Sequence, residues 1–212
     1  MRKFAFLLLC IGMFVTLPVH AELFGLANGR SADITNAPER SIEGGVALGD
    51  FFDADYTHFG LRYNHKTRPQ LMFFGNLGLS EVGSEDGLSF GIGAFYQLHG
   101  LLSNQDVAVK GVINRADGDN DDVTGISIEG LVSGRQGFGV NGNIGWYGNI
   151  GLHRFSGGGD SETEIGIGGG VTFPASNGEF FAGIDLIEDL IFGGGYRYYC
   201  LLYTSPSPRD RG

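Results

Sequence analysis

The chain is short of the residues that most proteins use to fasten themselves or to carry positive charge. Its 212 residues include two cysteines, Cys10 and Cys200, and each lies in a terminal stretch that reads as separate from the folded body. The body therefore offers no disulfide and no thiolate chemistry. Of the fourteen Lys and Arg, two stand in the first three residues and two in the last four, and one of the 24 Asp and Glu is also in the tail. Ten cations thus face 23 anions in the body, a net charge near −13. A nucleic-acid surface needs a basic patch, so no such partner is expected. Long apolar runs are missing too. No stretch approaches the roughly 20 apolar residues that a membrane-crossing helix requires, and no amphipathic helical stripe of useful length appears.

What the termini do contain is informative. Met1, Arg2 and Lys3 precede an apolar run from Phe4 to Leu17, followed by Pro18, Val19, His20 and Ala21. A charged start, a short apolar stretch and a small-residue ending make a secretory signal peptide over 1–21, with cleavage expected between Ala21 and Glu22. Leu9 precedes Cys10, where a lipoprotein signal carries a small side chain, so lipidation is not expected. At the other end, CLLYTSPSPRDRG breaks the pattern of everything before it. Cys200 to Asp210 resembles one reading frame of a transposon-based sequencing adapter, and 200–212 read as a non-native tail. An aromatic residue is the expected natural occupant of position 200.

Between these ends, residues 22–40 are small and polar with Pro38, and read as a periplasmic leader lying at a barrel mouth. A short strand near Leu23 to Leu26 is the alternative. From Ser41 onward, alternating segments are separated by turn clusters, the mark of an all-β chain. Ten segments are expected: 41–51, 55–64, 69–80, 88–99, 106–115, 123–133, 138–154, 162–173, 179–187 and 190–199. In the fourth, Leu88, Phe90, Ile92, Ala94, Tyr96 and Leu98 oppose Ser89, Gly91, Gly93, Phe95, Gln97 and His99. In the seventh, Val140, Ile144, Trp146, Ile150 and Leu152 oppose Asn141, Asn143, Tyr147, Asn149 and His153.

The residue types on the polar rows separate a soluble sandwich from a membrane barrel. A solvated face would carry Lys and Glu, whereas these rows hold mainly Gly, Asn, Ser and Gln. Such side chains suit the interior of a narrow closed barrel, and the 38 glycines let walls and side chains approach closely. Aromatics near segment ends, Phe51, Phe52, Phe155, Phe173, Phe180, Tyr196 and Tyr198, suit belts at the membrane interfaces.

Charge in the connections supports an even strand count. The odd connections, 50–55, 81–86, 115–122, 156–161 and 188–189, are nearly all acidic. The even ones, 65–68, 100–105, 134–137 and 174–178, are neutral or basic. With the N-terminus in the periplasm, acids gather outside the cell. The expected fold is an antiparallel transmembrane β-barrel over 41–199 with about ten strands, eight being the alternative.

In this pattern, the signal peptide and the stretch from Ser41 to Tyr199 resemble the small OmpA-like and OmpX-like family of bacterial outer-membrane barrels. The resemblance implies an outer-membrane location and contact with membrane lipid and lipopolysaccharide. It also implies that the aromatic last strand, with Tyr196 and Tyr198 in alternation, is recognised by the barrel-assembly machinery.

Candidate chemistry is sparse. Asp117, Asp119 and Asp121 match the first three ligand positions of a calcium loop, but Asp122 replaces the turn glycine and Ile128 stands where a bidentate Glu belongs. With Asp122 they read as a solvated extracellular loop, able to share divalent ions with lipopolysaccharide phosphates. His153 and Ser156 are similar to the His and Ser of outer-membrane lipid A deacylases, but stand three apart in sequence rather than two. Glu162 or Glu164 could orient the ring. GIGGG at 166–170 and FGGG at 192–195 lack the following helix of a phosphate-binding loop, and His58 and His99 lack metal-site clustering. The polar rows also place Glu43, Glu129, Glu164 and Asp185 with Arg62, Lys110 and Arg197 in one lumen, where buried charges need partners. The expectation is a monomeric structural or surface-interacting barrel without cofactor or metal and not an enzyme, its salt-bridged lumen forming at most a narrow gated pore. A lipid-modifying hydrolase using His153 and Ser156 is the rival.

Overall fold

A computed structural model describes residues 31–51, 54–82, 85–118, 122–138, 142–157, 160–187 and 189–200. The signal peptide, Asp119, Asp121, Phe52 and residues 201–212 lie outside them. Ten strands follow one another: β1 (Arg40–Phe51), β2 (Ala54–Arg68), β3 (Leu71–Val82), β4 (Glu85–Leu98), β5 (Asp106–Gly118), β6 (Asp122–Phe138), β7 (Gly142–Gly157), β8 (Asp160–Ala175), β9 (Gly178–Ile187) and β10 (Asp189–Tyr199). Each pairs antiparallel with its sequence neighbours, and β1 closes on β10 through a ladder from Ser41 opposite Tyr199 to Gly49 opposite Ile191. Closure removes the free edges that an open sheet would present. The count is ten and not eight.

With ten strands, both ends of the sheet lie at one end of the barrel, here termed proximal; the hairpins β1–β2, β3–β4, β5–β6, β7–β8 and β9–β10 form the distal end. Most strands run further than the alternation indicated, and the turns shrink accordingly. Glu81, Asp117, Asp122 and Asp160, expected in connections, stand on strand ends around the distal rim. The largest revision is between β6 and β7: Gly134–Gly137 continue β6, paired with β7 through Gly137 opposite Asn143. In the 99–105 connection, Gly100 takes a φ of 72° with open space where a side chain would be, a conformation that glycine adopts without strain.

The alternating rows sort as lipid-facing and lumen-facing. Ile92 is 69% exposed and Ile165 67%, joined on the outer wall by Phe59, Leu61, Leu77, Leu79, Ile150, Ile167 and Phe192. A girdle of this size greatly exceeds the apolar patches of soluble monomers. Surrounding a closed barrel, it is a surface made for hydrocarbon, and the molecule is a transmembrane β-barrel. Phe173, Phe180 and Tyr198 are exposed on the outer wall, and Phe180 packs on Tyr196 with ring centroids 4.8 Å apart. Phe155 does not belong to that belt. It shares the parity of His153 and is buried inside. Ile144 keeps its outward parity, but the revised start of β7 moves it from mid-strand to the third residue, where it is half-buried.

Candidate functional site

Among the described residues the polar rows converge in the interior, where side chains fill the lumen from end to end. The distal layer holds an apolar cluster in which Ala47, Tyr56, Ala116, Phe155, Ile187 and Ile191 pack together with Val123 against them, and beside it the buried His58, Ser80 and Ser89, His58 Nδ1 lying 2.8 Å from Ser80 Oγ. The proximal layer holds a second apolar cluster, and part of it comes from before β1. Ala32 and Ile34, both fully buried, pack with Met72, Phe74, Phe95, Ala108, Val112 and Leu131, all on the inner wall. Residues 31–39 are therefore not merely a leader beside the mouth but a stopper within it. Polar groups fasten that stopper to the wall. The Ala32 amide donates to Ser133 Oγ (2.9 Å), the Thr35 amide to Gln97 Oε1 (2.7 Å), and Lys66 Nζ to the carbonyls of Thr35 (3.0 Å) and Ala37.

Between the apolar layers lies the polar one. Glu43 and Arg197 face each other across the β1–β10 seam, as do Glu43 and Arg62 across β1–β2, so one carboxylate is flanked by two guanidinium groups. Arg197 Nε donates to Glu43 Oε1 (2.7 Å), Arg62 lies 3.8 Å from Glu43 Oε2, and Asn64 Nδ2 donates to Glu43 Oε1 (2.6 Å). Across β5–β6, Lys110 Nζ donates to Glu129 Oε1 (3.0 Å). Asn149 then links Glu129 and Asp185, its Nδ2 within 3.3 and 3.4 Å of their carboxylates. Aromatic faces complete the cations' surroundings: Arg62 lies 4.8 Å from the Phe74 ring centre and Arg197 5.7 Å from that of Phe181.

Six of the seven charges assigned to the lumen from the sequence, Glu43, Arg62, Lys110, Glu129, Asp185 and Arg197, are buried there. Glu164 shares their parity, opposite His153, but is only half-buried and makes no ion pair with a described residue. Glu179 was missed. It pairs with Arg197, and the signal was available in principle, since Arg197 and Glu179 are register partners once β9 and β10 are aligned. Nor did the sequence indicate that 31–39 enter the barrel.

Glycine makes the filling geometrically feasible. A Cβ on Gly91 would run into the amide oxygens of Asn114 and Asn76, and one on Gly168 into the Asp185 carboxylate. On Gly93 it would strike Phe74, and on Gly166 the His153 ring. Inward glycines are thus the spaces into which large neighbouring side chains lean.

His153 and Ser156 are brought into no dyad. Three positions along a strand put side chains on opposite faces. His153 is buried in the lumen opposite Ser127, while Ser156 lies on the outer wall, within 3.4 Å of Arg154 Nε. Both His153 ring nitrogens lack a hydrogen-bond partner among the described residues. Asp117 and Asp122 sit opposite each other at the distal rim, and both are engaged by Arg115, with Arg115 Nε 2.8 Å from Asp117. Among the described residues no three His, Cys, Asp or Glu side chains are grouped so as to hold a metal ion.

No family model matches the chain, and no curated protein does. Similar solved structures are barrels. LpxR from Salmonella typhimurium aligns with 69% of this chain and 73% of its own, at 10% identity and a TM-score of 0.44. The KdgM porin, solved with disordered oligogalacturonate, aligns over 74% and 98% at 10% identity and a TM-score of 0.43. The β-domain of the Bordetella autotransporter BrkA aligns over 77% and 99% at 11% identity and a TM-score of 0.48. At such identities and scores the likeness is one of barrel shape, and no role passes from these proteins to this one.

Proposed function

We propose that this protein is a closed outer-membrane barrel with a structural or surface-interacting role, working as a monomer and without enzymatic chemistry. The observation that carries the reading is the filled lumen: an apolar cluster near each end flanks a band of paired charges, and Ala32 and Ile34 from residues 31–39 are buried at the proximal end. Ion pairs between neighbouring strands hold large charged side chains inside the barrel, Glu43 with Arg62 and Arg197, and Lys110 with Glu129. Solute would pass only if these layers shifted, which makes any pore a gated one. Membrane lipid, lipopolysaccharide and, during insertion, the barrel-assembly machinery are its expected partners. The opposite facing of His153 and Ser156 supports a role without hydrolysis.

Conductance tests the reading. Full-length mature protein inserted into planar bilayers should hold the baseline current at low voltage. A chain with Phe74→Ala, Phe95→Ala and Ile34→Ala, which thins the proximal layer, should show brief openings. Steady conductance from the unaltered chain would overturn the closed-barrel reading.

A further inference from the structure

Around most of the distal outer wall the boundary is acidic: Asp50 opposes Asp55, and Glu81 opposes Asp86. On one side it changes sign. Reading outward-facing rows across β6, β7 and β8, Ile128, Leu152 and Ile165 lie side by side and are apolar. One step distally, about 7 Å along the strands, the row is Ile126, Arg154 and Thr163; the next is Thr124, Ser156 and Ser161. Arg154 thus sits at the edge of the apolar girdle, and three hydroxyl residues, Ser156, Ser161 and Thr163, surround it. Its Nη2 donates to Ser161 Oγ (2.8 Å) and its Nε lies 3.4 Å from Ser156 Oγ. Thr163 Oγ1 is a buried atom with no hydrogen-bond partner among the described residues.

We propose that Arg154, Ser156, Ser161 and Thr163 form a binding site on the outer wall for the phosphate of a phosphorylated glycolipid in the surrounding leaflet. The proposal rests on the membrane seat and on the distal end being the cell-surface end. A charge at the rim of the hydrocarbon region is tolerated where lipid headgroups begin, and there an arginine meets phosphate. Planar guanidinium geometry suits two phosphate oxygens at once, and hydroxyls supply further donors to the same group. Acyl chains of the same lipid would lie along Ile128, Leu152 and Ile165 directly below.

Refolding the full mature chain into phosphatidylcholine vesicles containing bisphosphorylated lipid A, followed by native mass spectrometry after detergent extraction, tests this. The wild type should retain lipid A, and Arg154→Gln should retain about tenfold less, the loss of one strong charge-assisted contact. Arg40→Gln, an exposed change at the proximal end, should retain it fully. Enzymatically dephosphorylated lipid A should not be retained. Equal retention by wild type and Arg154→Gln, with heat-modifiable mobility unchanged, would overturn the site and leave the barrel reading intact. Displacement of lipid A by millimolar inorganic phosphate would overturn its assignment to a lipid headgroup. Failure of the wild type itself to form a heat-modifiable barrel would remove both readings.

Discussion

At the scale of single residues, Glu43 is the position on which the polar layer turns. It lies on β1, the strand that closes the barrel, and its carboxylate serves cations from both neighbouring strands. Removing it leaves Arg62 and Arg197 buried with less compensation, and breaking a buried pair from one side costs about 3–5 kcal/mol. Glu43→Ala should therefore lower unfolding stability in lipid vesicles by about that amount, measured by urea titration of the heat-modifiable form. A loss under about 1 kcal/mol would mean that the Arg62 and Arg197 contacts are redundant. These charges were legible in the sequence because alternation alone places a residue on a face. Their partners were not, because partnership depends on register, which Glu179 illustrates.

At the scale of elements, a strand's parity survives a boundary error but its depth does not. Over 144–153 the expected and observed β7 agree on which residues face outward, while Phe155 turns inward, and the shift of the strand's start takes Ile144 from mid-strand toward the proximal end. Ile92 and Ile167 lie well inside β4 and β8 and are 69% and 55% exposed to the outside. Arginine at either should cost about 2–4 kcal/mol, whereas Ile144→Arg should cost about 0–1 kcal/mol, because the penalty on a lipid-facing wall falls toward the interfaces. Refolding equilibria of the three variants in bilayers check the order. Equal penalties at all three would put Ile144 back at the midplane. The stopper formed by 31–39 was invisible for a different reason: a polar stretch with one Pro carries no periodicity, and only the presence of Met72, Phe74 and Phe95 on the inner wall gives Ile34 something to bury against.

For the whole molecule, charge and loop length both bear on which end faces outward. The acids of the distal rim and the stopper's place at the proximal end favour a periplasmic proximal end. Loop length favours the reverse, since 99–105, the longest described connection, is proximal, and cell-surface loops are usually the longer ones. The acidic distal rim and the N-terminal segment seated at the proximal end together predict a periplasmic proximal end. An epitope tag beside Asp119 should bind antibody on intact cells, and one beside Ser176 only after permeabilisation. Surface labelling at Ser176 would invert the barrel.

The sequence by itself determined the class of the protein. Period-two alternation, a polar row of small residues and ten turn-bounded segments allow few folds other than a membrane barrel, because each row must meet one environment along its whole length. It also determined which residues face inward, since parity is a local property of the strand. Only the tertiary structure decided what the lumen contains. Whether a polar row lines a channel or fills a core depends on how ten rows align around one axis. That alignment is set by register and closure, here by Ser41 meeting Tyr199 and Gly49 meeting Ile191, which no single segment encodes. The same alignment put His153 and Ser156 to no common use, gathered Arg154 with three hydroxyls from two strands, and gave an unpatterned segment a place inside the wall.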